Sequence, residues 1–294
     1  MNALKALVIS CVVLLSGCNA QSDEPLQLIT NSWIGYSPLF YAKEQGWLAE
    51  HNIELSTVVS LGESAHIYHS ASLDGFTGTQ YEFNKAYAKD PTLIPIMMFD
   101  RSMGGDMIMS NRSIQSLQAI PPQQPIAVFL EMDSINSPLF KDFKQRYNLS
   151  DQSFNLINND PLKRQHTITQ KNTPSIIVTY APYNHELEKQ GFTAIASTGQ
   201  SLKLLVLDAL YTNQESYRKH KNQFLALKTL VNRAIKSLEQ NPKHYYEKVS
   251  PYLEKASYAE FQESLQTIEW LNRSISPSLI DRINEAQFPI RDLL

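Results

Sequence analysis

The stretch Asp100–Ile108, which reads DRSMGGDMI, carries the most information about the fold of this chain. It joins two apolar segments, Leu93–Phe99 and Met107–Met109, which we predict to be β-strands. The glycine pair at 104–105 permits positive φ angles and lets other backbone approach closely. The sequence therefore predicts a tight connection between two buried strands.

Acidic side chains stand at both ends of this connection. Asp100 follows the first strand and Asp106 precedes the second, so we expect both to face a crevice formed where strands end. Arg101 is the only nearby base, and a surface turn carrying a solvated ion pair explains it equally well.

Strands and helices alternate along residues 26–210. Apolar runs of strand length, such as Ile126–Leu130, are separated by segments with helical periodicity, such as Glu63–Ser70. From residue 214 onward the pattern becomes helical, with apolar side chains three or four positions apart over 224–238. The chain is therefore expected to be α/β, with largely parallel sheets and a helical C-terminal part.

Several boundaries are specific enough to be checked. Ser37 is expected to cap a helix whose first residue is Pro38. The last strong strand is predicted over Lys203–Leu210, and helices are predicted over 161–170 and 257–271.

Five segments, taken in order, resemble the periplasmic substrate-binding proteins of nitrate-, sulfonate- and taurine-type ABC transporters, in the thiamine-pyrimidine-synthase-like fold superfamily. They are Trp33–Trp47 (WIGYSPLFYAKEQGW), Asp100–Ile108, Ile114–Leu117 (IQSL), Thr179–Tyr183 (TYAPY) and Leu205–Leu210. The resemblance implies a two-lobe, type II-like binding-protein fold with a ligand cleft between the lobes. Lobe 1 would combine 26–108 with 203–294, lobe 2 would span 109–202, and the C-terminal helices would pack on lobe 1.

The chain departs from that family at two cleft positions. Tyr180 stands where relatives usually have tryptophan, and Ala181 stands where they usually have glutamate. Ligand identity therefore cannot be carried over by analogy.

Candidate ligand-binding residues are those at loop and strand-end positions of the expected cleft. They are Trp33, Tyr36, Thr77, Gly78, Thr79, Asp100, Arg101, Gly105, Asp106, Asp133, Ser134, Asn136, Tyr180 and Asp208. Each has a plainer explanation that stays open: loop packing for the aromatic rings, helix capping for the threonines, and helix N-terminal charge for the acids near position 133.

The excess of acids among these candidates predicts the charge of the ligand. Burying an anion beside unpaired carboxylates costs several kcal/mol, whereas an amine gains charge-assisted hydrogen bonds and cation–π contacts with the aromatic rings. We expect a small polar organic ligand with a positive or zwitterionic charge.

The N-terminus indicates secretion. Residues 1–17 combine Lys5, an apolar core and small residues before Cys18, which is the pattern of a signal peptide. The ending Leu15–Cys18 (LSGC) resembles a bacterial lipobox, in which Cys18 receives a lipid anchor that includes palmitate, and residues 18–25 would form a tether. The resemblance implies a periplasmic, membrane-anchored protein, at the outer membrane if the organism is Gram-negative, because Asn19 follows the cysteine.

Composition narrows the class of function. A net charge of −3, from 26 basic and 29 acidic residues, gives no basic face for nucleic acid. The only cysteines are Cys11 and Cys18, so the body of the protein has no thiol nucleophile, disulfide or cysteine-ligated metal. His66 and His69 lack the further ligands that a metal site needs, and LGESA at 61–65 lacks the second glycine of a nucleophile elbow.

We therefore expect a solute-binding protein that is not an enzyme and has no cofactor. Its partner would be an ABC permease or, as an alternative, the periplasmic domain of a membrane sensor.

Overall fold

The computed structural model describes residues 24–158, 173–253 and 256–294. The predicted signal peptide, Cys18, most of the tether and the predicted helix over 161–170 lie outside these residues.

The described residues form eleven strands and twelve α-helices. The strands are β1 (Leu26–Asn31), β2 (Ile53–Val58), β3 (Gly75–Thr79), β4 (Leu93–Ser102), β5 (Asp106–Ser110), β6 (Ile126–Leu130), β7 (Phe154–Asn158), β8 (Ser175–Tyr180), β9 (Thr193–Ser197), β10 (Leu207–Asn213) and β11 (Ile268–Trp270). The helices are α1 (Ser37–Glu44), α2 (Trp47–Glu50), α3 (Glu63–Ser70), α4 (Gln80–Tyr87), α5 (Ile114–Gln118), α6 (Asn136–Arg146), α7 (Asn184–Lys189), α8 (Gln214–Lys219), α9 (Lys221–Gln240), α10 (Pro242–Val249), α11 (Tyr258–Leu265) and α12 (Pro277–Glu285).

The strands form two mixed sheets, so the α/β class is confirmed. The first sheet has the order β11-β4-β10-β3-β1-β2, and the second has the order β7-β6-β8-β5-β9. The prediction of largely parallel sheets is wrong. β10 runs antiparallel to both β3 and β4, and β5 runs antiparallel to both β8 and β9. These two strands follow the two passages of the chain between the sheets, and each enters its sheet against the direction of its neighbours.

The C-terminal helices pack beside the first sheet. One face of α9, including Phe224, Leu227 and Val231, is buried in the same apolar cluster as Leu39 and Phe40 of α1. Leu279 and Ile283 of α12 join a second cluster on the other side of that sheet. Among the described residues, none of the helices has the length and apolar character needed to cross a membrane.

Three predicted boundaries are wrong. Ser37 is the first residue of α1 and makes no side-chain cap, while its Oγ lies 3.2 Å from the Tyr245 hydroxyl of α10. The predicted strand over Lys203–Leu210 begins only at Leu207, because Lys203 and Leu204 instead donate their backbone N–H groups to Asp142 of α6. The predicted helix over 257–271 ends at residue 265, after which β11 pairs with β4.

The two sheets share a packed interface. Ile135, Tyr180 and Tyr183, from the segments of the second sheet, belong to the same buried apolar cluster as Trp33 and Tyr36. The two sheets are therefore packed directly against each other. Sheet membership changes between Ser102 and Asp106 and again before Leu207, while the division into two lobes with independent motion stays a prediction.

Candidate functional site

Three aspartates meet at the interface between the sheets, and we call Asp100, Asp106 and Asp208 the central carboxyls. Asp100 on β4 and Asp208 on β10 are direct partners in the antiparallel register, and Thr79 of β3 lies on the other side of Asp208. Asp106 begins β5, opposite Tyr180 of β8. All three side chains are buried, and their charges interact with one another.

Asp100 is held by an aromatic loop. The Trp33 indole N–H donates to the carboxylate, with Nε1 at 3.2 Å from Oδ1 and 3.4 Å from Oδ2. A Cβ on Gly35 would overlap this carboxylate, so only glycine lets the loop pass so close. Burial raises the pKa of Asp100 well above its usual range, and the charge of Asp106 adds to the shift, while the Trp33 hydrogen bond opposes it.

Asp208 accepts one strong hydrogen bond. The Tyr36 hydroxyl donates to its Oδ1 at 2.6 Å. Its Oδ2 is buried and has no hydrogen-bond partner in the described part of the chain. Burial raises the pKa of Asp208 well above its usual range, and the charges of Asp100 and Asp106 raise it further.

Asp106, the central carboxyl on the second sheet, is buried like Asp208. Its backbone N–H donates to the Ser102 hydroxyl at 2.9 Å, and its backbone carbonyl accepts from the N–H of Thr198 at 3.0 Å. Its carboxyl Oδ2 is buried and lacks a partner among the described residues. Burial raises the pKa of Asp106 to about 7, with Ser102 opposing the shift and the charge of Glu82 adding to it.

Glu82 is a fourth buried acid that the sequence analysis missed. It forms a capping box at the start of α4, where its Oε2 accepts from the Thr79 backbone N–H at 2.8 Å and from the Thr79 hydroxyl at 2.5 Å. Its Oε1 accepts from the backbone N–H of Ile135, across the interface, at 3.0 Å. The Thr-x-x-Glu spacing signals the cap, but the contact across the interface leaves no trace in the sequence.

Glu131 makes a reciprocal contact from the second sheet to the first. Its Oε2 accepts from the Ser60 hydroxyl at 2.8 Å and from the Leu61 backbone N–H at 2.9 Å, while the Tyr180 hydroxyl donates to Oε1 at 3.1 Å. The hydroxyls of Ser32 and Tyr183 form another such contact, with their oxygens 2.6 Å apart. These hydrogen bonds tie the closed interface together.

Gly105 lets the connection between β4 and β5 pack closely against Trp33 and Thr267. A Cβ there would lie 2.5 Å from Cη2 of Trp33 and 3.0 Å from Oγ1 of Thr267. Its backbone N–H donates to the Thr267 carbonyl at 3.1 Å, and its carbonyl accepts from Ala181 at 2.9 Å. Of the two glycines in this connection only Gly104 has a positive φ, of 127°.

Several sequence candidates lie away from the central carboxyls. Arg101 forms an ion pair with Glu269 of β11, and Asp133 is an exposed acid, 89% accessible, whose Oδ1 lies 2.7 Å from Nζ of Lys85. The hydroxyl of Ser134 donates to the Glu131 carbonyl, and the hydroxyls of Thr77 and Thr30 share a hydrogen bond.

Gly78 packs against Glu82, and Asn136 is buried at the start of α6. The structure thus brings Trp33, Tyr36, Thr79, Gly105, Tyr180 and the three central carboxyls together, and it leaves Arg101 and Asp133 toward the surface.

No lysine or arginine of the described residues forms an ion pair with the central carboxyls. Among the described residues, none of the ion pairs includes Asp100, Asp106, Asp208 or Glu82. Those residues also hold no group of three or more histidine, cysteine, aspartate or glutamate side chains placed to bind one metal ion.

A groove of about 660 Å³ lies between the segments of the two sheets. Its first wall comes from α3, α4 and the loop before α3, including His66, Lys85 and Glu82. Its second wall comes from the segment 131–134 and from Asn158. Glu82 is a buried acid that lines the groove, whereas Asp100, Asp106 and Asp208 do not line it.

Comparison with known proteins identifies the type of fold. No protein-family model matches the chain, and no curated protein matches it by sequence. Solved structures do match over most of its length.

The alkanesulfonate-binding protein SsuA from Xanthomonas axonopodis pv. citri, bound to MOPS, has a TM-score of 0.67 and 13% identity, covering 90% of this chain and 91% of that one. The periplasmic aliphatic sulphonate-binding protein SsuA from Escherichia coli has a TM-score of 0.69 and 11% identity, covering 90% and 88%. The periplasmic nitrate-binding protein NrtA from Synechocystis PCC 6803 has a TM-score of 0.62 and 14% identity, covering 82% and 70%.

These structures are of the type that the sequence motifs resemble. At such low identity the likeness establishes the fold, which is that of the periplasmic sulfonate- and nitrate-binding proteins.

Proposed function

We propose that this protein is an extracytoplasmic solute-binding protein that captures a small polar organic molecule between its two sheets and delivers it to an ABC transporter. The observation that carries the proposal is the buried interface between the sheets, where polar atoms that have no partner among the described residues lie beside aromatic rings. The fold supports the same function, because in binding proteins a hinge between two lobes closes on the ligand. In this proposal the protein has no enzymatic activity.

The lobes of the proposed binding protein are those expected from the sequence, 26–108 with 203–294 and 109–202. The connection at Gly104 and Gly105 and the return passage before Leu207 would carry the hinge. Trp33, Tyr36 and Tyr180 would enclose the ligand, and Asp100, Asp106, Asp208 and Asn136 would bind its polar groups.

The location of the protein completes the proposal. A signal peptide over residues 1–17 and a lipid on Cys18 would hold it in the periplasm, next to its permease. Replacement of Cys18 by alanine should release the protein from the membrane fraction, and unchanged fractionation would contradict the anchor. A sensor protein in place of the permease would use the same closed, liganded form.

The function is tested by ligand-dependent closure. Purified protein is screened against small solutes for a rise in melting temperature, because a ligand that binds only the native state stabilises it. For each hit, small-angle X-ray scattering should show a more compact molecule with the solute than without it. If no solute stabilises the protein, and its shape never changes, the proposal is wrong.

A further inference from the structure

We propose that the ligand is an organic ammonium ion whose N–H groups are bound by Asp106, Asp208 and Asn136. This inference rests on the proposed solute-binding function and names the chemical class of the solute. It sets this chain apart from the structures of similar fold that are described as binding sulfonate or nitrate.

The first argument is the set of hydrogen-bond acceptors that have no donor. Asp106 Oδ2, Asp208 Oδ2 and Asn136 Oδ1 are all buried and have no partner within the described residues. Buried polar atoms without partners are rare in native proteins, and each calls for an explanation. The Asn136 amide is oriented by the Val178 carbonyl, 3.5 Å from its Nδ2, so its oxygen is the unpaired end. A ligand that donates several N–H bonds would satisfy all three atoms.

The second argument is the position of these atoms relative to one another. Asp208 of β10 is the register partner of Asp100 of β4. Asp106 of β5 is the register partner of Tyr180 of β8. Asn136 contacts the carbonyl of Val178 on the same strand β8. Asn136 directly follows Ile135, whose backbone N–H donates to Glu82. Asp106 and Asn136 thus lie at neighbouring parts of the second sheet, and Asp208 belongs to the first sheet, so the unpaired acceptors come from both sheets, as closure around a ligand requires.

The third argument is the charge balance. Burial of several carboxylates without a cation costs several kcal/mol for each ion, and here the nearby Arg101 is already paired with Glu269. The burial of Asp100, Asp106 and Asp208 favours their protonated forms. A bound cation would reverse this preference, whereas a bound anion would increase the repulsion.

The fourth argument separates an organic cation from a metal ion. The acids interact over a distance, but no three of the described histidine, cysteine, aspartate or glutamate side chains are placed to ligate one metal. An organic ammonium ion, unlike a metal ion, combines N–H donors for the unpaired acceptors with an alkyl part that needs an apolar surface. The aromatic rings of Trp33 and Tyr180, in edge contact at a centroid distance of 6.1 Å, would cover the alkyl part.

The experiment measures affinity by calorimetry at pH 8 for compounds that differ in charge. The ammonium compounds are propylamine, putrescine, lysine and homotaurine, and the comparison compounds are propanesulfonate, sodium nitrate and calcium chloride. An ammonium compound is expected to bind most tightly. Asp106→Asn and Asp208→Asn should each raise its Kd at least about thirty-fold, the effect of losing one partner of a buried charge pair.

Matched controls keep the interpretation clear. Asp281→Asn makes the same change on exposed α12 and should leave the Kd within about threefold, as expected for a distant exposed charge. Removing an unpaired buried carboxyl should raise the melting temperature of the ligand-free protein, whereas a purely structural role for Asp208 predicts a fall in that temperature. The two readouts together separate ligand binding from folding.

The remaining outcomes overturn the inference. If propanesulfonate or nitrate binds most tightly, or calcium alone binds, or no ammonium compound binds, the ligand is not an organic ammonium ion. Binding of an anion with closure would leave the solute-binding function standing while the ammonium inference fails. The absence of closure with any solute would contradict the function itself.

Discussion

Acidic residues at the centre and at the edge of the sheet interface have opposite surroundings. At the edge, Asp133 pairs with Lys85 and Glu260 pairs with Lys189, and the partner or the cap lowers the pKa of each acid. At the centre, Asp106 and Asp208 have no basic partner within residues 24–158, 173–253 and 256–294, and burial raises their pKa. The edge acids are stabilised by partners within the protein. In our proposal the central acids are stabilised by a cationic ligand.

The largest expected difference between the two regions is in the pH dependence of stability. The pKa of Asp106 is about 7 in the folded protein, against an ordinary value of 3.8. Proton binding to Asp106 therefore stabilises the folded state fully below pH 4. This stabilisation is lost as the pH rises to 7, since the folded state then holds a proton that the unfolded state has released. The loss is about 4 kcal/mol by linkage.

Urea unfolding between pH 4 and pH 8 measures this effect. Ligand-free protein should unfold at lower urea as the pH rises, and Asp106→Asn should flatten that dependence. Asp281→Asn, on the surface, should keep it. A wild-type protein whose stability increases steadily from pH 4 to pH 7 would show that the central carboxyls are ionised and satisfied.

The next largest effect is expected from a substitution that places a methyl group beside Asp100. Gly35→Ala places a methyl group onto the Asp100 carboxylate and the Trp33 indole, and such overpacking costs about 3 kcal/mol. The variant should therefore weaken ligand binding by about a hundredfold and lower the urea midpoint. Gly46→Ala is the control, because its Cβ meets nothing within 4 Å and only its φ of 76° is strained. Equal ligand affinity in both variants would show that the Gly35 contact is unimportant for closure.

A smaller effect is expected for the hydrogen bonds that join the sheets. Glu131→Gln turns one accepting oxygen into an N–H₂ group that faces the donors Ser60, Leu61 or Tyr180. A buried donor left without its acceptor costs about 2 kcal/mol. The urea midpoint of this variant should fall, while that of Glu63→Gln, an exposed glutamate lining the same groove, should not change. Indistinguishable midpoints would mean that Glu131 does not hold the interface closed.

The smallest effect is expected at the edge. Asp133→Asn removes an ion pair that is mostly exposed to solvent, and such pairs contribute about 0.5 kcal/mol or less. The difference in urea midpoint from the wild type should disappear in 0.5 M NaCl, since salt screens exposed charges. A large effect that persists in salt would place Asp133 among the groups that control closure.

The comparison also explains what the sequence can predict. Ile126–Leu130 and Glu63–Ser70 form their elements with the predicted bounds, because apolar periodicity directly reflects local structure. The antiparallel direction of β5 and β10 was not predicted, since strand direction depends on distant partners. Helix propensity over 257–271 likewise gave no sign of β11, which forms only because β4 offers it an edge.

The candidate site shows the same limit. The sequence predicts Asp100 after one strand and Asp106 before the next, which favours a shared crevice. The structure extends β4 through Asp100 to Ser102, and the two carboxyls still lie close enough for their charges to interact. Glu82 was missed because a capping box explains its local sequence completely. Asp133 and Asp106 are both candidates in the sequence, yet Asp133 is exposed and paired with Lys85, while Asp106 is buried and its Oδ2 has no partner in the part of the chain that the structure describes. Burial and pairing depend on contacts between segments far apart in the chain.

The charge of the ligand is tested most directly by the protons exchanged on binding. The tightest-binding solute is titrated at pH 6 in two buffers that differ in ionisation enthalpy, which gives the number of protons released or taken up. A cation bound beside Asp106, whose pKa is about 7 in the free protein, must lower that pKa and release protons to the buffer. Proton release is the result that we predict, and proton uptake or no exchange would contradict it.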